Sequence, residues 1–341
     1  MNYIYIAAIP LIIYFVNTFI KYKNFLPSLS GEKHQLFVEQ KNIPLSGGVI
    51  IVITFLFIEK FNIDFIFFYL FLLFLIGFFS DLKIIKSPRK RFILQLFLIF
   101  LFVIFNNFHI SNIRIFFIDS LLEYKFFSYF FVMFCFLIII NGTNFIDGLN
   151  GLVLGYFTSL LIIIYNLQLF TNLNITQFEI LYLMELLLFL LLFNFFNKLY
   201  IGDSGSYLLG FAFGILLISI YESNPNLSPF FIALLLWYPC FENLFSIIRK
   251  YRFSTSPLNS DNKHFHQLFF YFIKKKFNLS ALFANNLCSI LINIFNIITI
   301  SIGATDIFST QLQILIIFFN IIVYIMSYLI LFDYRFKKHR I

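Results

Sequence analysis

Eleven apolar runs follow one another along this chain, each close to the length that crosses a bilayer, and they leave little sequence for anything else. They lie near residues 3–20, 47–62, 65–80, 92–106, 125–141, 151–169, 180–197, 206–221, 229–247, 280–302 and 310–332. A hydrocarbon core about 30 Å thick takes about 20 mostly apolar residues of helix. Only helices or closed barrels satisfy every backbone polar group inside lipid, and runs of this length suit helices. With 61% hydrophobic and 12% charged residues, the chain stands far from water-soluble domains, which carry about 25% charged residues. The expected fold is an all-α polytopic membrane protein of about eleven transmembrane helices, with residues 1–341 forming a single integral membrane domain. The weakest division falls between the second and third runs, where only Glu59, Lys60, Asn62 and Asp64 intervene.

The placement of basic residues orients these spans. When the loops are sorted alternately, 21 of the 24 Lys and Arg fall on one side, and only Lys60, Arg114 and Lys125 fall on the other. Because cytoplasmic loops are enriched in Lys and Arg, the N-terminus is expected outside and the C-terminus in the cytoplasm. The cytoplasmic loops then lie near 21–46, 81–91, 141–150, 198–205 and 248–279. The opening MNYIYIAAIP has no basic segment before its apolar stretch and no small-residue cleavage site, so it reads as a retained first span. The net charge of +8 becomes a basic face suited to anionic membrane lipids, which leaves no need for a nucleic-acid partner. Cys135, Cys240 and Cys288 form no CxxC pair and read as buried thiols.

The unusual polar residues share that basic face. NGTNFIDGLNGL at 141–152 places Asn141, Asn144, Asp147 and Asn150 three residues apart, and Gly142, Gly148 and Gly151 suggest a broken helix. A break at membrane depth is tolerated where it lines a cavity or is buried in protein, so the segment is either a self-satisfied polar loop or a site for a polar ligand. In YIGDSGS at 200–206, Asp203 is either an N-cap or a hard oxygen for Mg²⁺. Asp81 ends FSD at 79–81 ahead of a basic loop and a helix starting near Pro88, where it could serve only as an ion-pair partner. The loop at 248–279 holds Arg249, His264 and His266, better suited to phosphate groups than to zinc. The loop at 31–48 carries Lys41 ahead of Pro44. Glu185 stands apart inside the seventh run. Together these groups describe one cytoplasmic site with carboxylates, amides and basic groups, the set that two mutually repelling phosphate-bearing partners would need.

In order and spacing, IPLSGG at 43–48, GFFSD at 77–81, NGTNFIDGLNGL, YIGDSGS and DNKHFHQ at 261–267 resemble the motifs of the polyprenyl-phosphate N-acetylhexosamine-1-phosphate transferases. The resemblance implies transfer of a sugar 1-phosphate from a UDP-N-acetylhexosamine to undecaprenyl phosphate, with release of UMP and with Mg²⁺, or Mn²⁺ in its place, as cofactor. It implies that Asp203 binds the metal and that Asp81 matches the second Asp of the family's paired carboxylates, as a metal-binding and catalytic group. Asn144, Asp147 and Asn150 fall in the motif lining the nucleotide and catalytic pocket. Tyr200 matches an aromatic residue that stacks on uracil, and Lys41 a lysine that meets the uridine diphosphate. His264 and His266 match the histidine motif associated with the diphosphate and catalysis, with Arg249 as a further phosphate-binding group. Membrane lipids surround such an enzyme, and a homodimer is compatible with it.

The chain also departs from the family pattern. Ser80 replaces the first Asp of the pair, Asn150 stands where Asp is frequent, Glu242 where Asp is common, and Gln267 where a third His is common. A hydroxyl is no base at neutral pH. A phosphate monoester, however, has its second pKa near about 6 and is mostly a dianion already, so Ser80 is compatible with turnover. IPLSGG and the span count favour an enzyme that starts O-antigen or another surface polysaccharide over the peptidoglycan translocase. A transporter also lines its path with polar groups on broken helices, but it would place them near the midplane with repeat symmetry. An inactive homologue would bind the UDP-sugar without releasing UMP.

Overall fold

The computed structural model describes residues 2–26, 43–56, 66–173, 175–252 and 262–336. Among these the chain forms fourteen helices: α1 (Asn2–Tyr22), α2 (Gly47–Leu56), α3 (Ile66–Asp81), α4 (Pro88–Phe105), α5 (Phe116–Leu122), α6 (Lys125–Ile146), α7 (Leu152–Asn166), α8 (Gln177–Phe195), α9 (Gly202–Ser223), α10 (Pro229–Leu235), α11 (Trp237–Arg252), α12 (Phe265–Phe277), α13 (Ala281–Gly303) and α14 (Thr310–Phe336). Every apolar run expected to span is mainly helical where it is described.

The expected count of eleven spans is borne out only in part among the described residues. By length and composition, five of the described helices, α6, α8, α9, α13 and α14, can each cross a membrane alone. The α10 and α11 pair, bent by 76°, makes a sixth if it is one span. Of the others, α7 is apolar but only 15 residues long. α4 carries Arg89, Lys90 and Arg91 in its first turn, behind Pro88.

The supposed loop at 248–279 is mostly helix as well. α11 continues to Arg252, and α12 begins at Phe265, where the His264 amide donates to Gln267 Oε1 at 3.2 Å. α12 buries Leu268, Phe270 and Ile273 and exposes Lys274, Lys275 and Lys276, so its sequence reads as a surface helix with one apolar face. It stops at Asn278, which is left-handed at φ 49°.

The centre of the bundle is α9, buried along nearly its whole length. α3 and α6 flank it, and Phe102, Phe136 and Phe211 form its aromatic centre, with ring centroids 4.9–5.7 Å apart. Close approach rests on small residues. A Cβ on Gly77 would stand 2.5 Å from Ser204 Cα, so α3 can lie against the first turn of α9 only with glycine there.

The loops sort into two ends. Around the N-terminus of α9 gather the segments following α3, α6 and α8, together with 43–46 and 262–264. Around its C-terminus gather 106–115, 167–173, 224–228 and 304–309. At that second end Arg114 donates to Phe308 O, Thr310 Oγ1, Asn226 O and Leu227 O at 2.8–3.2 Å. Tyr221 donates to Asn112 O at 2.8 Å. Among the described residues, Arg114 and Lys125 are the basic side chains at this end; the others belong to the end that holds the polar motifs.

Candidate functional site

Everything in the site is arranged on the first turn of α9. The amides at a helix N-terminus lack intrahelical partners and favour negative charge. Here Asp81, at the end of α3, satisfies them from outside: Oδ1 accepts from the Asp203 amide at 2.9 Å and Oδ2 from the Ser204 amide at 3.0 Å. Gly202 makes this possible. Its φ is +74°, and a Cβ there would lie 2.7 Å from Asp81 Oδ2.

The cap of α9 is therefore Asp81, and the N-cap reading of Asp203 does not hold. Asp203 lies inside the helix, with its carboxylate turned to other groups. Its Oδ1 accepts from Asn144 Nδ2 at 2.7 Å, and Oδ2 accepts from Ser80 Oγ at 2.6 Å and pairs with Arg91. Arg91 also donates to Ser80 Oγ at 2.8 Å, and Asn144 to Ser206 Oγ at 3.0 Å. Three motifs far apart in sequence thus meet in one hydrogen-bonded cluster. Ser80, a departure from the family pattern, works inside it as a donor to Asp203.

The break expected in NGTNFIDGLNGL is present but shorter than expected. α6 runs unbroken through Gly142, where a Cβ would overlap Pro239 O, so this glycine serves helix packing between α6 and α11. The break covers 147–151 and ends on Gly151 at φ +78°. Asp147 sits at its start. Burial, then the charges of Asp203 and Asp81, push its carboxyl well above the ordinary carboxylate range.

Gly148 abuts the ring of His266 closely enough that a Cβ would overlap Nε2, so the break and the histidine motif touch. The His266 ring stacks on His264 at 5.7 Å. The His264 ring lies 5.3 Å from the Phe145 ring, and Lys250 Nζ lies over that same ring at 5.6 Å.

Tyr200 is fixed by its backbone. Its amide donates to Pro44 O at 3.0 Å and its carbonyl accepts from the Gly47 amide at 3.0 Å, which joins IPLSGG to YIGDSGS. Burial pushes its phenol up to about 12, so it stays neutral.

Two of the expected substrate-binding residues have structural partners. Asn150 holds the break: its amide donates to Asn285 Oδ1 at 2.7 Å, and its side chain to Asn197 Oδ1 at 3.2 Å. Arg249 is buried in α11 and donates to Ser246 Oγ at 3.1 Å on its own helix. Lys41 lies outside the described residues. Arg91, Lys250 and Phe145 were not legible as site residues. Arg91 is one of five basic residues in one loop, and only the turn between α3 and α4 selects it.

Residues 64–221 match the family model described as glycosyl transferase family 4. The match covers Ser80, Asp81, Arg91, Asn144, Asp147, Tyr200 and Asp203 and ends before Arg249, His264 and His266. The chain is 27% identical over 228 residues, 67% of its length and 68% of the relative's, to the undecaprenyl-phosphate alpha-N-acetylglucosaminyl 1-phosphate transferase of Thermotoga maritima. It is 30% identical over 154 residues to the decaprenyl-phosphate N-acetylglucosaminephosphotransferase of Mycolicibacterium smegmatis, spanning 38% of this chain and 37% of that relative. A multi-pass helical membrane protein with these motifs in one cluster, the chain carries a match to glycosyl transferase family 4 over residues 64–221, and its motifs resemble those of the polyprenyl-phosphate N-acetylhexosamine-1-phosphate transferases.

Proposed function

We propose that the protein transfers N-acetylhexosamine 1-phosphate from a UDP-sugar to undecaprenyl phosphate, giving undecaprenyl-diphosphate-sugar and UMP. The reaction takes place at the cytoplasmic face of the inner membrane and starts O-antigen or another surface polysaccharide. The observation that carries this reading is the convergence of Asp81, Asp147 and Asp203 with Ser80, Asn144 and Arg91 at the N-terminus of α9. The names of the two relatives supply the reaction class. The basic residues clustered at that end support a cytoplasmic orientation.

A divalent cation fits the donors. Among the described residues, no three His, Cys, Asp or Glu side chains stand close enough to hold one by themselves. Mg²⁺ commonly takes one or two carboxylates and completes its shell with water and substrate phosphates, and Asp203 with Asp147 would provide them. Asp81 engages α9 through both oxygens, each of which keeps a second lone pair. When bound, Mg²⁺ supplies charge neutralisation and Lewis acidity at the diphosphate.

The residues do the positioning. Arg91 offers a guanidinium suited to phosphate oxygens, beside a carboxylate that holds it in place. Asn144 fixes the Asp203 carboxylate. Tyr200 offers a neutral ring for a base. His264, His266 and Lys250 offer basic or polar groups to the diphosphate. The acceptor phosphate attacks as its dianion, so no side chain needs to remove a proton.

The test is UMP release from membranes given undecaprenyl phosphate, Mg²⁺ and a panel of UDP-sugars, with a chelator control. Turnover with at least one UDP-N-acetylhexosamine, lost on chelation and restored by Mg²⁺, is expected. Unchanged release in Asp81→Asn, Asp147→Asn and Asp203→Asn together would sink the assignment. UDP-sugar binding without UMP release would mark an inactive homologue.

A further inference from the structure

Glu242 is a carboxylate in the middle of α11, 1% exposed, and the reaction as described leaves it without a task. Both its oxygens are engaged. Oε1 accepts from His264 Nδ1 at 2.9 Å and lies 3.4 Å from the Phe265 amide, and Oε2 accepts from the Tyr324 hydroxyl of α14 at 2.6 Å. Burying a carboxylate costs several kcal/mol unless it is paired and hydrogen-bonded. Ionisable groups within membrane segments usually serve function. An apolar side chain would hold α11 against α14 at no such cost.

The geometry specifies the histidine more than the fold. A carboxylate on Nδ1 fixes the tautomer and the ring orientation. The same ring is held from the other side by its stack on His266, with planes 18° apart. Its backbone is held by Gln267 through the α12 cap.

We propose that Glu242 and Tyr324 are positioning residues. They lock His264 with Nδ1 toward α11 and so present Nε2 to the diphosphate of the donor. This rests on the reading of His264 as a phosphate contact given above. It also makes α14, which carries none of the sequence motifs, part of the apparatus that sets the site.

The test is a mutant cycle on the purified protein, using the donor that gives the most UMP in the panel. Glu242→Gln is expected to lower kcat at least tenfold and Tyr324→Phe about threefold. Glu242→Asp should recover part of the loss. In a His264→Asn background, both substitutions should change the residual rate less than twofold, because the group they act through is gone. An equal fold-loss in both backgrounds would overturn the inference and leave the reading of His264 standing. Wild-type turnover in His264→Asn alone would instead overturn that reading, and the inference with it. If Glu242→Gln does not fold, Tyr324→Phe carries the cycle. Independently of turnover, the ring ¹⁵N shifts of His264 in the native protein should show a protonated Nδ1. A bare Nδ1 would overturn the proposal.

Discussion

At the scale of single residues, the site depends on one glycine and one carboxylate. Gly202 adopts a backbone that costs an L-residue about 1–2 kcal/mol, and a Cβ would also press on Asp81. Gly202→Ala should therefore lower UMP release at least tenfold and reduce the unfolding temperature in detergent. Retained activity would mean that the Asp81 cap is dispensable. Ser80 and Asp203 should separate cleanly. Ser80→Ala removes one hydrogen bond of several on Asp203, worth about 1 kcal/mol, and should leave UMP release within about fivefold of wild type. Asp203→Asn should abolish it. Equal losses in the two variants would make Ser80 a direct participant. The spacing of Asp81 and Asp203 was visible in sequence, but not that one caps the helix containing the other. That depends on a contact across 122 positions.

At the scale of elements, α9 is long and apolar enough to have been expected, and its place at the centre follows from small residues facing its neighbours. The same logic applies to α6 and α11 at Gly142, a residue that sequence suggested as a helix breaker. In the structure it packs against the backbone of Pro239 in α11. Overpacking such a contact typically costs about 1–3 kcal/mol, so Gly142→Ala should lower the unfolding temperature. Through the shift of α11 it should also lower activity, although residue 142 touches none of the carboxylates. Thermal unfolding in detergent and UMP release check both effects, and unchanged values in both would show that α11 yields freely. The 76° bend between α10 and α11 falls inside the run at 229–247, one turn ahead of Pro239, which has no N–H to donate to the Leu235 carbonyl. Its stabilisation is tertiary: the Leu235 carbonyl near the bend accepts from Tyr156 of α7 at 2.7 Å.

At the scale of the whole molecule, the two loop ends make a prediction about sidedness. In a background with Cys135, Cys240 and Cys288 replaced by Ser, a cysteine at Asn226 should react with an impermeant maleimide from outside intact cells, and one at Asn262 should not. The reverse pattern would invert the orientation and put the site outside. Arg114 ties three segments of the far end through four hydrogen bonds. Arg114→Ala should lower the unfolding temperature by a few degrees and leave UMP release at low temperature unchanged. An equal loss of activity would show that the two ends are mechanically coupled.

Helical class, the apolar runs, the division of charge and the order of the polar motifs were all determined by sequence, because each rests on local composition or on the length needed to cross lipid. Asp81, Asp147, Asp203, Asn144 and the histidine motif could be named from it for the same reason. Only tertiary structure decided which of them meet. It drew Arg91 and Ser80 to Asp203, gave Asn150 to the scaffold, and set Glu242 and Tyr324 behind His264. These are choices among chemically similar side chains, and the contacts that make them are dictated by helix packing between segments distant in the chain, which no local pattern encodes.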